Sequence, residues 1–166
     1  MIHVVIAVDG FQHGSGPFYP KCVVVKEVKT GYEQRVILNL PDDALNAFKH
    51  SSEVARTYSV QQKLHGLRPE QRGLPSFAVP GIIGEVVHKA SDQCYAGGAV
   101  CYTKGNNVIP IVNEFKDRSC LFLSRVINVE EIGCPPLKEL GLAKRPIYTA
   151  KKASAIAEWI RVTHLS

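Results

Sequence analysis

The chain has 166 residues and a mass of 18.3 kDa, and 45% of its residues are hydrophobic and 21% charged. This length favours one compact domain spanning residues 1–166, and the composition excludes a disordered tail. Twenty Lys and Arg against fifteen Asp and Glu give a net charge of +5, a mild bias toward polyanionic partners such as RNA or DNA. No apolar run approaches the roughly 18 residues of a membrane span, so no membrane partner is expected.

The cysteine pattern favours a reducing compartment. Five cysteines is an odd number, and no two of them form a CxxC pair. Free thiols of this kind are typical of proteins in the cytoplasm or the nucleus. The opening MIHVVIAVDG has neither a basic start nor a small-residue cleavage site, so no signal peptide is expected.

The first 40 residues predict three strands. Residues 3–8 form a nearly continuous apolar run, which is typical of a strand buried on both faces. A turn-rich stretch over residues 11–20 predicts a long hairpin connection to a β-branched strand at residues 22–28. A third strand is predicted over residues 35–40, where Pro41 stops it. The short turns between these strands predict an antiparallel meander.

After Pro41 the sequence predicts helices alternating with two further strands. Asp42 and Asp43 precede apolar residues at helical spacing, and acidic residues stabilise a helix N-terminus. Gly66 is a typical helix-ending residue. The predicted helices cover residues 42–48, 51–64, 79–90, 108–115 and 149–162, and the strands cover residues 99–102 and 126–129. A polar surface loop is predicted at residues 68–75 and a helical turn at residues 135–140.

This order of elements predicts an α/β fold built on a mixed five-stranded sheet. An antiparallel three-strand start followed by βαβα crossovers places helices on both faces of the sheet. The right-handed crossover rule places the fourth strand beside the first.

Several short motifs of the sequence resemble those of a known superfamily. The motifs are Val8-Asp9-Gly10-Phe11, His65-Gly66-Leu67, Tyr102-Thr103-Lys104-Gly105, Val126-Ile127-Asn128-Val129 followed by Gly133-Cys134-Pro135, and residues 153–159. With the order of elements across nearly the whole chain, they resemble the ribonuclease H-like fold, and within it the DEDDh exonuclease superfamily. More narrowly, the chain resembles short exonuclease-like proteins of arthropod genomes and mobile elements.

The resemblance implies a metal centre that this sequence does not reproduce. Active members hold two divalent cations with four carboxylates and use a histidine as general base. Asp9 is the single remnant of the Asp-x-Glu pair on the first strand, and no acidic residue follows the fourth strand at residues 103–106. When the last-helix pattern His-x-Ala-x-x-Asp-Ala is aligned on Ala153, Ile147 stands at the base and Lys152 at the final acid.

We therefore expect a degenerate exonuclease fold that uses no metal cofactor and has no metal-binding residues. A lysine near Asp9 would supply the charge that a metal otherwise supplies. Asp9 also has a simpler interpretation, as a turn cap beside Gly10. A Maelstrom-like zinc site, with Glu, Cys and His in place of the acids, is not supported by the last helix. A zinc ion between His88, Cys94 and Cys101 does not match the spacing of common zinc fingers.

Basic residues in the last third of the chain form the candidate nucleic-acid site. Residues 141–161 hold five basic residues against Glu158, so this segment carries a net charge of +4. Clustered cations beside an exonuclease-like groove would attract a phosphate backbone, and a solvated surface is the alternative. Residues 103–107 open a helix and could present amides to a phosphate, although a plain turn is the simpler interpretation. The candidate nucleic-acid-binding residues are Lys104, Asn106, Lys144, Arg145, Lys151 and Lys152.

The expected function is a nucleic-acid-binding or protein-interaction module, and two alternatives stay open. A working metal-dependent 3′–5′ exonuclease would need Mg²⁺ or Mn²⁺ and acidic residues from elsewhere in the chain. The acidic residues open to that role are Asp42, Asp43, Glu85, Asp92, Glu114 and Asp117. The second alternative is an assembly protein that does not bind nucleic acid and that could form a homo-oligomer. Its partner surface would be a sheet edge or an apolar helix face.

Overall fold

Five strands form one mixed sheet in the computed structural model, which describes residues 1–91, 99–119 and 123–165. The strands are β1 (Ile2–Phe11), β2 (Tyr19–Glu27), β3 (Glu33–Ile37), β4 (Ala99–Thr103) and β5 (Leu123–Asn128). Their order across the sheet is β3-β2-β1-β4-β5. The β1–β2 and β2–β3 pairs are antiparallel, whereas β1–β4 and β4–β5 are parallel. The predicted antiparallel start and the predicted place of the fourth strand beside the first are both confirmed.

The predicted helices are all present. They are α1 (Asp42–His50), α2 (Ser52–His65), α3 (Val79–Ala90), α4 (Ile109–Asp117) and α5 (Thr149–His164), and residues 137–140 form a 3₁₀ turn. The side chain of Ser51 accepts a hydrogen bond from the Val54 amide at the start of α2, and Gly66 ends α2 at φ 75°. No helix of the described ranges combines the length and hydropathy that a bilayer crossing requires.

Two apolar cores lie on opposite faces of the sheet, and β1 contributes to both. Val4, Ile6 and Val8 pack on one face with α3 and α4. Val5 and Ala7 pack on the other face with α1, α2 and α5. These five side chains are at most 3% exposed, as the continuous apolar run predicted. The predicted placement of helices on both faces is therefore confirmed.

A bulge shapes the carboxyl end of β1. The register between β1 and β2 shifts between Asp9 and Gly10. A Cβ atom at Gly10 would lie 2.0 Å from the carbonyl oxygen of Tyr19, so the close approach of the two strands requires glycine. Because β1, β4 and β5 are parallel, their carboxyl ends meet at one edge of the sheet. Asp9, Thr103 and Asn128 lie at or near this edge.

The third strand is shorter than predicted, and its end is paired with a segment that the sequence predicted as a surface loop. Leu74 donates its N–H to the carbonyl oxygen of Ile37, which marks the end of β3. Lys21 is fully buried and donates its ammonium to the carbonyl oxygen of Gln71, so burial lowers the pKa of this lysine. Residues 68–75 are therefore the predicted surface loop, exposed except at Pro69, and these bonds fasten it along the sheet edge.

The first and last strands also differ from their predicted bounds. β1 continues to Phe11 because that residue pairs with Tyr19 beyond the bulge. β5 ends at Asn128 because Val129 begins a 3₁₀ turn. β1 and β5 therefore end at Phe11 and Asn128, at the edge of the sheet where the candidate site lies.

Candidate functional site

A cleft with a volume of about 370 Å³ opens at the carboxyl edge of the sheet. β1 contributes Asp9, α2 contributes His65 and α5 contributes Lys152, while Lys104 follows β4. The apolar residues that line the cleft are Val8, Phe18, Leu64, Val108, Leu137 and Ile147. Polar and charged side chains make up the rest of the lining apart from Gly10, so the cleft has a mixed surface that can take a polar ligand.

Asp9 is held by two side chains of α5. The Lys152 ammonium lies 2.6 Å from Asp9 Oδ1, and the Thr149 hydroxyl donates to Asp9 Oδ2 at 2.8 Å. Thr149 and Lys152 are three residues apart, so the first turn of α5 presents both to the end of β1. The Asp9 side chain is 16% exposed and the Lys152 side chain 14%. Lys152 also donates to the Val8 carbonyl at 3.3 Å.

The predicted pairing of a lysine with Asp9 is thus confirmed, and Lys152 is the lysine. The alternative role of Asp9 as a turn cap is wrong, because Asp9 lies inside β1 opposite Cys22 and both its carboxylate oxygens accept bonds from α5. Lys152 was predicted to contact nucleic acid directly. Its ammonium is instead committed to Asp9 and to a backbone carbonyl, which makes it a structural cation at the bottom of the site.

The described residues of the cleft do not fit a pair of divalent cations. Hard ions such as Mg²⁺ bind several carboxylate oxygens in hydrolytic sites. Asp9 is the one acidic residue among the described residues that line the cleft. Its oxygens are already engaged by Lys152 and Thr149, and the ammonium stands where a cation would contact Oδ1.

The acidic residues open to a working nuclease do not join Asp9. Those that the structure describes lie outside the cleft: Asp42 and Asp43 in α1, Glu85 in α3, and Glu114 and Asp117 in α4. Asp92 lies outside the described residues. Over the described ranges, no three His, Cys, Asp or Glu side chains come together as a metal ion would require.

His65 is a buried residue of the cleft that the sequence analysis named only within the motif His65-Gly66-Leu67, without a role of its own. Its Nε2 donates to the Gly10 carbonyl at 2.8 Å, and its Nδ1 accepts from the Leu67 amide at 3.1 Å. These bonds require the neutral ring with the proton on Nε2. Burial lowers its pKa below the usual 6.5, which keeps the ring neutral. With both nitrogens committed to backbone groups, His65 is a positioning residue for the bulge rather than a general base.

The predicted cations divide into two groups. Lys104 and Arg145 line the cleft together with Lys152. Lys144 and Lys151 are exposed and line a neighbouring cavity of about 350 Å³, which shares Ile147 with the cleft. Each of these five basic residues therefore lines one of two adjoining cavities.

Lys104 is less free than the other candidates. Its side chain is 10% exposed, donates to the Pro135 carbonyl at 3.0 Å and lies 3.7 Å from a Glu130 carboxylate oxygen. It can present charge to the cleft but is held by the turn after β5. Arg145, by contrast, is exposed at the rim.

Asn128 organises the turn that follows β4, a role that the sequence did not reveal. Its buried side chain accepts from the amides of Gly105 and Glu130 and donates to Asn106 Oδ1 at 2.9 Å. Asn106 is therefore a member of a turn network and does not line the cleft, where Asn107 lies instead. This network favours the plain-turn interpretation of residues 103–107.

Among the described thiols, Cys22 adjoins the Asp9 site: it pairs with Asp9 across the β1–β2 ladder and lies within hydrogen-bonding reach of Thr149, and burial raises the pKa of its thiol. Cys22, Cys101 and Cys134 are buried and free. Burial raises the pKa of Cys101 to about 12, so it stays a protonated, inert thiol. In the zinc hypothesis, His88 is exposed on α3 while Cys101 is fully buried, and Cys94 lies outside the described residues.

No protein-family model, curated protein or solved structure matches the chain significantly. The resemblance to DEDDh exonucleases therefore stays a prediction from sequence motifs and element order.

Proposed function

We propose that this protein is a catalytically degenerate, exonuclease-like domain of ribonuclease H-like fold that binds RNA or DNA. The observation that carries the proposal is the Lys152 ammonium, which lies 2.6 Å from the one carboxylate among the described residues of the cleft. A lysine there supplies a positive charge without metal chemistry. The proposal includes no cofactor.

The sheet supports the fold part of the proposal. An antiparallel trio continued by two parallel strands, in the order β3-β2-β1-β4-β5, is what the resemblance implies. Asp9 lies at the carboxyl end of the central strand, and the last helix packs beside it. Open α/β sheets bind ligands outside the carboxyl ends of their strands.

The degenerate chemistry is supported by the arrangement of donors. Two-metal hydrolysis needs carboxylates that bridge two cations and a base that activates water. Here Asp9 is paired with Lys152, and His65 gives both ring nitrogens to backbone groups. A phosphate group entering the cleft would meet fixed cations and would not be activated for hydrolysis.

Binding is supported by charge along the cleft and the cavity beside it. Arg145, Lys144 and Lys151 are exposed, and Lys104 also lines the cleft. Each phosphate neutralised by such a cation releases condensed counterions, so affinity would fall as salt rises. RNA and DNA share this backbone chemistry, and either is compatible with the proposed cytoplasmic or nuclear location.

Fluorescence anisotropy with labelled RNA and DNA strands at 50 and 200 mM KCl tests the proposal. We expect salt-dependent binding that the triple variant Lys144→Gln, Arg145→Gln, Lys151→Gln weakens at least about tenfold at 50 mM KCl. The slope of log K against log salt should fall in magnitude by about 2, since each single-strand contact contributes about 0.7.

A matched control removes the same charge elsewhere. The triple variant Lys29→Gln, Lys49→Gln, Arg56→Gln changes three exposed cations that line neither cavity. It should bind within about twofold of the wild type, allowing for the general loss of charge. Equal weakening by both triple variants would show that net charge, and not this surface, attracts the strand.

The two alternatives are separate outcomes of the same study. Hydrolysis of labelled RNA or DNA that appears on titration with Mg²⁺ or Mn²⁺ and disappears in Asp9→Ala would establish a working exonuclease. Absence of binding at 50 mM KCl would remove the nucleic-acid function. Sedimentation velocity would then show whether the chain self-associates, as an assembly protein would.

A further inference from the structure

An exposed aromatic ring lies beside the cleft and has no part in the Asp9 site. Tyr148 immediately precedes α5 and is 52% exposed. Its chain neighbour Ile147 lines the cleft, and the Tyr148 ring contacts Gly66, which follows the cleft residue His65. The ring therefore stands at the edge of the proposed binding surface.

Tyr148 is held by its backbone on both sides and by one contact of its ring. A Cβ atom at Gly66 would lie 2.8 Å from Tyr148 Cε1, so the absence of a side chain there lets the ring pack against the backbone. Before it, the Ile147 amide donates to the Leu64 carbonyl at 2.8 Å. After it, the Tyr148 carbonyl accepts the first bond of α5, from the Lys152 amide. These contacts hold the backbone on either side of Tyr148 and place one edge of its ring against Gly66, while half of the residue stays exposed to a ligand.

The surroundings of Tyr148 combine positive charge with apolar surface. Arg145 and Lys151 lie three residues before and after it, and both are exposed. Leu64 and Val60, one turn apart on α2, are exposed hydrophobic residues on the adjoining helix. In residues 141–161 the acidic residue is Glu158, more than two helical turns along α5 from the ring.

We infer that Tyr148 is a stacking platform for an unpaired base, with the flanking phosphates on Arg145 and Lys151. The inference deepens the proposed function and rests on it. Proteins that bind single strands combine a cationic track with aromatic rings on which bases stack. A nucleotide matches both features of this surface, since its base can stack on the exposed ring and its phosphates can meet the two cations. Because paired bases inside a duplex cannot reach such a ring, the surface should select single strands.

The test compares strands and side chains at equal charge. Anisotropy with a 12-nucleotide strand, the same strand in a duplex, and the same strand with abasic sites separates base contacts from phosphate contacts. Tyr148→Ala should weaken binding of the intact strand about 5- to 100-fold, without changing the slope against salt. Tyr148→Phe keeps the ring and should bind within about twofold of the wild type.

A second exposed aromatic residue provides the control. Phe77 is 76% exposed and lines neither of the two cavities, so Phe77→Ala should leave affinity unchanged. The abasic strand should bind the wild type and Tyr148→Ala equally. Thermal melts of all variants establish whether they are folded, and weaker binding of the abasic strand to the wild type tests base stacking even where Tyr148→Ala destabilises the helix start.

Failure of the inference differs from failure of the proposed function. The inference is overturned where the wild type binds and loses affinity in the Lys144, Arg145, Lys151 triple variant, yet Tyr148→Ala has no effect, or the abasic strand or the duplex binds as tightly as the intact strand. Absence of any binding by the wild type at 50 mM KCl overturns both.

Discussion

Two ion pairs that involve α5 have the same shortest nitrogen–oxygen distance and very different surroundings. Lys152–Asp9 and Arg161–Glu158 each place a nitrogen 2.6 Å from a carboxylate oxygen. The first pair has side-chain exposures of 14% and 16%, whereas the second has 53% and 61%. Because water screens an exposed pair, the two should couple to stability very differently, although they share one helix.

The Lys152→Met variant leaves Asp9 charged in the cleft with Thr149 as its remaining partner. Removing one member of a fully buried pair costs about 3–5 kcal/mol, and the residual exposure here lowers our expectation to about 2–3 kcal/mol. At about 2–4 °C per kcal/mol for a chain of this size, the melting temperature should fall by about 4–12 °C. Asp9→Asn should also destabilise the protein, since it leaves the ammonium without its counterion.

The coupling energy from a double-mutant cycle is the decisive quantity, because Lys152 also donates to the Val8 carbonyl. Urea unfolding at pH 7 of both single variants and the double variant should give a coupling of about 1.5–2 kcal/mol. The equivalent cycle at Glu158 and Arg161 should give almost none. Additivity within about 0.5 kcal/mol at positions 9 and 152 would refute the argument that the cleft depends on this pair.

Three further results are expected. Gly10→Ala should destabilise the protein by more than about 2 kcal/mol in urea melts, because its Cβ would meet the Tyr19 carbonyl at 2.0 Å, whereas Gly81→Ala, in an open helical position of α3, should stabilise it by about 0.5–1 kcal/mol. Equal effects at the two glycines would contradict this reasoning. Since burial lowers the pKa of His65 below 6.5, the unfolded chain takes up a proton first, and the free energy of unfolding should fall as pH drops below about 6.5. Urea melts from pH 8 to pH 5 should show part of that slope lost in His65→Gln, and an unchanged slope would count against a buried neutral ring. Burial raises the pKa of Cys101 to about 12, so mass spectrometry after iodoacetamide treatment at pH 8 should find this thiol modified only in unfolded protein.

Elements whose signal is local were predicted well. The apolar run at the start of the chain predicted a strand buried on both faces, and Gly66 predicted the end of α2. The helix predicted over residues 79–90 has those bounds in the structure despite two glycines. Side-chain periodicity and capping depend on neighbours in sequence, so they are visible without the fold.

The candidate site was predicted in part. Alignment of the last helix placed Lys152 where the resemblance expects an acid, and the expected lysine beside Asp9 followed from that loss. Nothing local indicated that Thr149 would hold the second carboxylate oxygen, or that Asn128 would organise the turn carrying Asn106. Charge alone also did not show that Arg145 is exposed, whereas the ammonium groups of Lys104 and Lys152 are bonded to backbone carbonyls.

Composition, periodicity and turn residues accounted for the α/β class, the strand and helix content and the excess of positive charge near the C-terminus. Which charges meet was decided by the packing of α5 on the end of β1, which joins residues 143 positions apart in the chain. Contacts across such separations depend on strand register and helix placement, and both are set by the burial of two cores at once. For that reason the tertiary structure alone shows the bonds of Asp9 to Thr149 and Lys152, and the contact of the Tyr148 ring with Gly66.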